Sequence, residues 1–373
     1  MGDVEGQELN IIAVWDLSKD AMSRQVEGAT TNPPDPSQHR GFKRWVLIGI
    51  YIVFVLLGQS VAMSLGRLYY DKGGKSKWLA TLIQLVGFPV ILPLYYILPL
   101  RKTQLDCLPR NHPLKAASVY IFLGLYTTAL CMLYSIGLMY LPVSTFSLIC
   151  ASQLAFNALF SFFLNSQKFT PYIVNSLVLL TISSTLLLFN PNNSLPKGAS
   201  KSKYNIGFIC AIANSAGYGL QLSLTQLTFN RILKRDSFKA ILDMIVCPAS
   251  AASFAAVVGL FASGEWWTLK GEMDRFELGK VSYLMTLIWI ALSWQLFTIG
   301  LVALIVNVSS LFSNVISTFG LPIVPVLAVV FFHDSMDGIK VVAMLLAIWG
   351  FVSYAYHQYL DHHKARTTSA TTM

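Results

Sequence analysis

Apolar residues along this chain gather into long runs separated by short polar or basic intervals. The runs cover 45–66, 78–99, 116–138, 143–164 and 172–189. Past an interval holding Asn192, Lys197, Lys201 and Lys203, they resume at 206–228, 240–263, 281–305, 310–332 and 339–359. A helix rises about 1.5 Å per residue, so roughly 20 apolar residues cross a hydrocarbon core of ~30 Å. Each run is long enough to cross as a helix, the fifth near the short limit. In lipid, backbone polar groups must find partners within their own segment, which makes helix the predicted element throughout. The pattern predicts an all-α polytopic membrane protein with ten transmembrane helices.

Five runs, a loop and five more runs also predict an internal repeat. The links between the third and fourth runs (Leu141–Pro142) and between the eighth and ninth (around Ser309) are both very short and uncharged. The first link carries Arg67, Lys72, Lys75 and Lys77, and the sixth carries Arg231, Lys234, Arg235 and Lys239. The fourth and ninth runs end alike, in FFLNSQKF and FFHDSMDG. An odd number of spans per half turns the halves over, which gives a five-plus-five inverted repeat, the plan of many secondary transporters. The expected divisions are a disordered polar tail (1–41), a first repeat (42–190), a connecting loop (191–205), a second repeat (206–360) and a C-terminal tail (361–373). The N-terminal tail lacks the basic stretch and apolar run of a cleaved signal peptide. Lys and Arg near the membrane are slightly more numerous on the side of the N-terminus, which places both termini in the cytoplasm.

Composition sharpens this picture. Only 12% of residues are charged and 54% are hydrophobic, against roughly 25% charged in soluble domains. The net charge of +9 does not point to nucleic acid, because the basic residues sit between apolar runs, where they meet lipid headgroups. Of the five cysteines, Cys107, Cys131, Cys150, Cys210 and Cys247, four lie inside apolar runs and none forms a CxxC pair. Neither a disulfide framework nor a metal or cofactor site is implied.

Amides and hydroxyls inside lipid mark packing sites or a solute path. In the sixth run Asn214, Tyr218, Gln221 and Thr225 recur at helical spacing and form one polar stripe. Leu222, about 100° around that helix from Gln221, is expected to face away from it. Gln153 and Asn157 stand one turn apart in the fourth run. Gln59, Gln84, Tyr134, Trp294, Gln295, Asn314, Ser317 and Thr318 are spread over five others. Helix-to-helix glue accounts for any one of these; the set together predicts a polar central cavity. Free of Lys and Arg, that cavity suits a neutral planar heterocycle, with Gln and Asn pairing to its edge and aromatic rings stacking on its face. Asp243 is the one carboxylate inside a run. It reads either as a proton-coupling site or as an interfacial charge paired with Lys239 one turn earlier. Breakers stand in the second run (Gly87, Pro89, Pro93), the seventh (Pro248) and the ninth (Gly320, Pro322, Pro325). Trp78, Trp266 and Trp267 read as interfacial anchors.

Two long stretches, SLGRLYYDKGGKSKWLATLIQLVGFP (64–89) and YLPVSTFSLICASQLAFNALFSFFLNSQKFTPYIVNSLVLLTISS (140–184), closely resemble the plant purine permeases, a family of the drug/metabolite transporter superfamily. The resemblance extends over roughly 42–360 and departs from the family core in the N-terminal extension. It implies the ten-helix inverted repeat and energised, proton-coupled uptake of adenine-like bases, cytokinins or alkaloids across the plasma membrane. The competing carrier is a nucleotide-sugar exchanger of the same superfamily, which needs Lys or Arg at cavity depth to hold phosphates. An intramembrane enzyme needs a His, Asp or Cys constellation there, and the runs offer neither.

Overall fold

A computed structural model describes residues 36–93, 113–165, 171–188, 201–233, 238–321 and 337–350, with positions 324, 329, 352, 353 and 356 beyond. Helix dominates and no strand occurs among these residues, which bears out the all-α class. Five stretches among them are long and apolar enough to cross a membrane: Val46–Asp71, Ala116–Tyr140, Val143–Leu164, Ala240–Ala262 and Gly279–Asn307. The chain is thus an integral, multi-pass membrane protein. Most of the N-terminal tail, Asn192 and its loop, Pro322, Pro325 and most of FFHDSMDG lie outside the described residues.

The helices are α1 (Pro36–Asp71), α2 (Lys77–Leu85), α3 (Pro113–Tyr140), α4 (Val143–Cys150), α5 (Gln153–Asn165), α6 (Pro171–Leu188) and α7 (Lys201–Thr228). They continue with α8 (Phe238–Ala262), the short α9 (Leu269–Asp274), α10 (Gly279–Asn307), α11 (Ser310–Gly320) and α12 (Gly338–Gly350). Local chemistry sets several of these boundaries. Ser76 caps α2 by accepting the Leu79 amide at 3.0 Å, and Ser309 caps α11 by accepting that of Phe312 at 3.1 Å. After α2 the chain tightens into a 3-10 turn, Phe88–Ile91, with Pro89 in its first positions. Pro248 stays inside α8.

The fourth run breaks between α4 and α5 although it contains no proline there. Ser152 N bonds Ile149 O at 3.0 Å and Ala155 N bonds Ser152 O at 3.0 Å, both three-residue turns. The Ser147 and Ser152 hydroxyls donate to the carbonyls of Ser144 and Ile149 at 3.0 and 2.8 Å. Such local bonds offer the backbone an alternative to the helical ladder.

In the packed bundle α1 runs along α10 and α3 along α7; α3 also packs on α8 and α2 on α10; α4 and α5 lie on α7, and α11 on α1. Small residues allow close approach. A Cβ added at Gly58 would stand 2.7 Å from Phe297 N and Ser293 O, and one at Gly300 would stand 2.7 Å from Tyr51 O. Gly58→Ala therefore forces two helix backbones apart. Overpacking of this kind typically destabilises by about 1–3 kcal/mol, so the detergent-solubilised variant is expected to melt at a lower temperature. An unchanged melting curve would remove the close α1–α10 contact as a source of stability.

Arg67, counted above among the basic residues of the first link, instead lies within α1 and is buried. Its Nη1 donates to Leu138 O at 3.1 Å and Leu141 O at 2.9 Å, satisfying carbonyls left open where α3 ends, and it pairs with Asp71 at 2.8 Å. A second polar knot closes the same end of the bundle. Glu272, buried on α9, accepts from Tyr69 Oη and Tyr283 Oη, and from the amides of Lys75 and Ser76 at 3.0 and 3.1 Å. Glu265 accepts from Ser76 Oγ at 2.6 Å and from Trp78 N at 3.1 Å. Trp78 packs against Gly259 of α8, while Trp266 and Trp267 are exposed in the turn before α9.

Candidate functional site

A cavity of about 180 Å³ lies between α1, α2, α3, α7, α8 and α10, with Cys150, Gln153 and Ser317 contributed from beside the break in the fourth run and from α11. It extends from the middle of the bundle toward the end where α3 and α8 begin and α7 and α10 finish. An engineered apolar cavity of about 150 Å³ accepts benzene, so this space suits one small planar molecule.

The whole polar stripe of α7 (Asn214, Tyr218, Gln221 and Thr225) faces this space, as do Gln59, Gln84, Tyr134, Gln153, Trp294 and Gln295. That stripe keeps α7 below the apolarity of the five spanning stretches, despite its 28 residues. Leu222 also lines the cavity, contrary to the expectation from its helical angle. The space is wide enough to touch adjacent faces of α7.

Two asparagines are placed elsewhere. Asn157 accepts from Ser223 Oγ at 3.0 Å where α5 meets α7, and a Cβ on Gly219 would stand 2.6 Å from its backbone nitrogen. Asn314 donates to Gln153 O at 3.3 Å. Both therefore join helices instead of lining the cavity. Asp243 lies half-buried on α8, within electrostatic reach of Tyr120 and Cys247, and is not part of the wall.

Neighbours fix the amides of the wall. Gln221 Nε2 donates to Thr127 Oγ1 at 2.8 Å; Gln84 Nε2 donates to Ala80 O at 3.0 Å and Ser135 Oγ at 2.9 Å. Gln153 Nε2 donates to Ser317 Oγ at 3.2 Å, and Ser317 Oγ donates to Gln59 Oε1 at 2.9 Å. Nothing in the spacing of Thr127 or Ser135 marked them as supports, since their role depends on a partner from another helix. Aromatic rings form an edge-to-face series along one side. Tyr134 meets Phe146 at 4.9 Å and Trp294 at 5.3 Å, and Trp294 meets Phe297 at 5.4 Å, all near 90°. The hydroxyls of Tyr134 and Tyr218 and Nε2 of Gln295 are buried without a partner. Each such group carries a penalty of about 1–3 kcal/mol until something pairs with it.

A multi-pass helical membrane protein with a central cavity whose largely apolar, aromatic wall carries a set of amides is built as a carrier for a small molecule. Comparison with known proteins specifies which. Residues 46–364 match the family model described as purine nucleobase transmembrane transport, and the chain belongs to that family. It is 56% identical to Probable purine permease 10 of Arabidopsis thaliana, over 98% of this chain and 95% of that one. With Purine permease 21 of the same plant it shares 58% identity over 87% of this chain and 84% of the relative. The family model begins at residue 46, which leaves the N-terminal extension outside the family core as expected, while the first of these alignments takes in nearly the whole chain. A solved crystal structure superposes with a TM-score of 0.51 at 15% identity, covering 83% of this chain and 97% of its own. That likeness concerns the fold alone.

Proposed function

We propose that this purine permease imports adenine and adenine-like heterocycles, cytokinins and alkaloids among them, across the plasma membrane as a proton-coupled secondary carrier. The observation that carries this reading is the cavity itself, where aromatic faces and fixed amides from several helices meet around space for one planar molecule. Its described lining has no charged side chain, which disfavours the nucleotide-sugar alternative because phosphates would then lie unpaired.

The same proposal includes ten spans in a five-plus-five inverted repeat with both termini cytoplasmic. Exchanging each segment with the one five places later turns the α1–α10 contact into α7–α3, α3–α8 into α10–α2, and the α4 and α5 contact with α7 into that of α11 with α1. The FFLNSQKF and FFHDSMDG endings are offset by 169 residues (162 to 331). The three-residue turns recur at that offset: Leu321 N bonds Thr318 O at 3.1 Å and Val324 N bonds Leu321 O at 3.2 Å, as Ser152 and Ala155 do in the fourth run. A reporter fused after Met373 should stay inaccessible from outside intact cells; labelling from outside would overturn the orientation.

Radiolabelled adenine supplied to yeast lacking its own purine uptake tests the function. Uptake should fall as external pH rises and collapse with a proton uncoupler. Surface-expressed protein that moves no adenine would remove the solute reading, and uptake indifferent to the uncoupler would remove the coupling. Asp243→Asn should lose the pH dependence if that carboxylate carries the proton; normal, pH-dependent uptake would clear it of the role.

A further inference from the structure

One hydroxyl sets the polarity of two wall amides. Gln59, Gln153 and Ser317 come from three different segments and are buried at 5%, 5% and 0% exposure. Ser317 has a single hydroxyl hydrogen. It accepts from Gln153 Nε2 at 3.2 Å and spends its own hydrogen on Gln59 Oε1 at 2.9 Å. The Gln153 amide is therefore turned N–H inward to the protein, and the Gln59 amide C=O inward. What remains for the cavity is the opposite pair, N–H from Gln59 and C=O from Gln153; neither atom is among those sealed away from the cavity without a partner. Gln84 has both amide N–H groups tied by the protein and Gln221 one, so each also offers its C=O.

We propose that Ser317 is a positioning residue that fixes the donor–acceptor order of the cavity wall, and that this order selects amino-heterocycles over their oxo counterparts. It rests on the reading of a purine-like solute. Adenine presents a ring-nitrogen acceptor beside an amino donor along one edge. In hypoxanthine the same edge is inverted, a ring N–H beside a carbonyl. With the ring held in one orientation by the rest of the wall, Gln59 N–H beside Gln153 C=O meets the ring nitrogen and amino group of adenine. Hypoxanthine in that orientation sets N–H against N–H and carbonyl against carbonyl, and a mispaired buried polar group is penalised more than a lost bond. Without the Ser317 hydroxyl, either amide can rotate and present its other end, since amide N and O are nearly identical in shape.

The test is competition of unlabelled adenine and hypoxanthine against radiolabelled adenine uptake, with surface protein quantified in parallel. In the parent protein hypoxanthine should need about 10-fold or more the concentration of adenine, the equivalent of one mispaired hydrogen bond. Ser317→Ala should bring that ratio close to unity, whatever it does to the maximal rate, and Ser317→Thr, which keeps the hydroxyl, should restore it. A ratio unchanged in Ser317→Ala, or absent in the parent protein, overturns the proposal. Should Ser317→Ala not reach the membrane, Ser317→Cys, which keeps the size but donates weakly, decides by the same ratio. If neither accumulates, Ser317 serves folding and the proposal fails. Absence of adenine uptake by the parent protein, in contrast, removes the purine reading itself.

Discussion

Trp294→Ala is expected to raise the KM for adenine roughly 5- to 150-fold. Base-on-aromatic stacking is worth about 1–3 kcal/mol, and each 1.4 kcal/mol is about one decade in affinity. Trp294 lines the cavity and stands edge-to-face between Tyr134 and Phe297, so its removal takes away a face and loosens its neighbours. It also packs against three of the apolar clusters of the bundle. Truncating a fully buried aromatic costs about 3–5 kcal/mol of stability; Trp294 is half-buried, so a smaller loss is expected, and the amount of protein in the membrane should fall with it. Trp294→Phe separates the two effects. Phenylalanine keeps a ring face, and KM should return most of the way while the smaller ring still leaves a packing defect. If Trp294→Phe and Trp294→Ala raise KM equally, stacking at this position does not hold the solute.

Gln221→Ala is expected to raise KM roughly 3- to 100-fold with little loss of folded protein. A neutral hydrogen bond nets about 0.5–1.5 kcal/mol and an unsatisfied partner costs about 1–3 kcal/mol, while removing an amide from a span favours insertion. The structure adds the orientation. With Nε2 held by Thr127, Gln221 turns its carbonyl to the solute. Thr127→Val should therefore weaken uptake in the same direction but by less, because the amide remains and only its aim is lost. Leu222 cannot serve as the control on this helix, since it shares the cavity wall; Ile209, exposed on the outer face of α7, can. Equal kinetic damage from Gln221→Ala and Ile209→Ala would mean that the α7 stripe is not the recognition surface.

Periodicity made most of the helices legible, because lipid leaves the backbone no alternative. The α7 stripe was legible for the same reason: four polar groups on one face of a single helix need no knowledge of a partner. What the sequence hid depends on pairs from distant segments. Gln153 and Asn157 share one face of one helix, yet Gln153 meets the cavity while Asn157 meets Ser223, and only the approach of α5 against Gly219 of α7 decides between them. The break before Gln153 escaped notice because it is made by serine hydroxyls, which carry no fixed signature, where proline would have announced it. Arg67 read as a loop charge because its acceptors, the open carbonyls at the end of α3, lie more than seventy residues away. Resemblance supplied what residue types cannot, namely that a neutral planar solute is a nucleobase.

The knot around Glu272 bears on how the far end of the bundle can move. Tyr69 from α1, the Lys75 and Ser76 amides from the first link and Tyr283 from α10 all converge on this one carboxylate, carried by α9. Bonds to a charged acceptor are stronger than neutral ones and are worth most where water is excluded. Spread over many contacts, such strength would yield by degrees as segments slid apart. Concentrated on one side chain, it behaves like a buckle. Withdrawing the carboxylate strands the Lys75 and Ser76 amides and the Tyr283 hydroxyl together and leaves Tyr69 only its bond to Ser76 O at 3.3 Å.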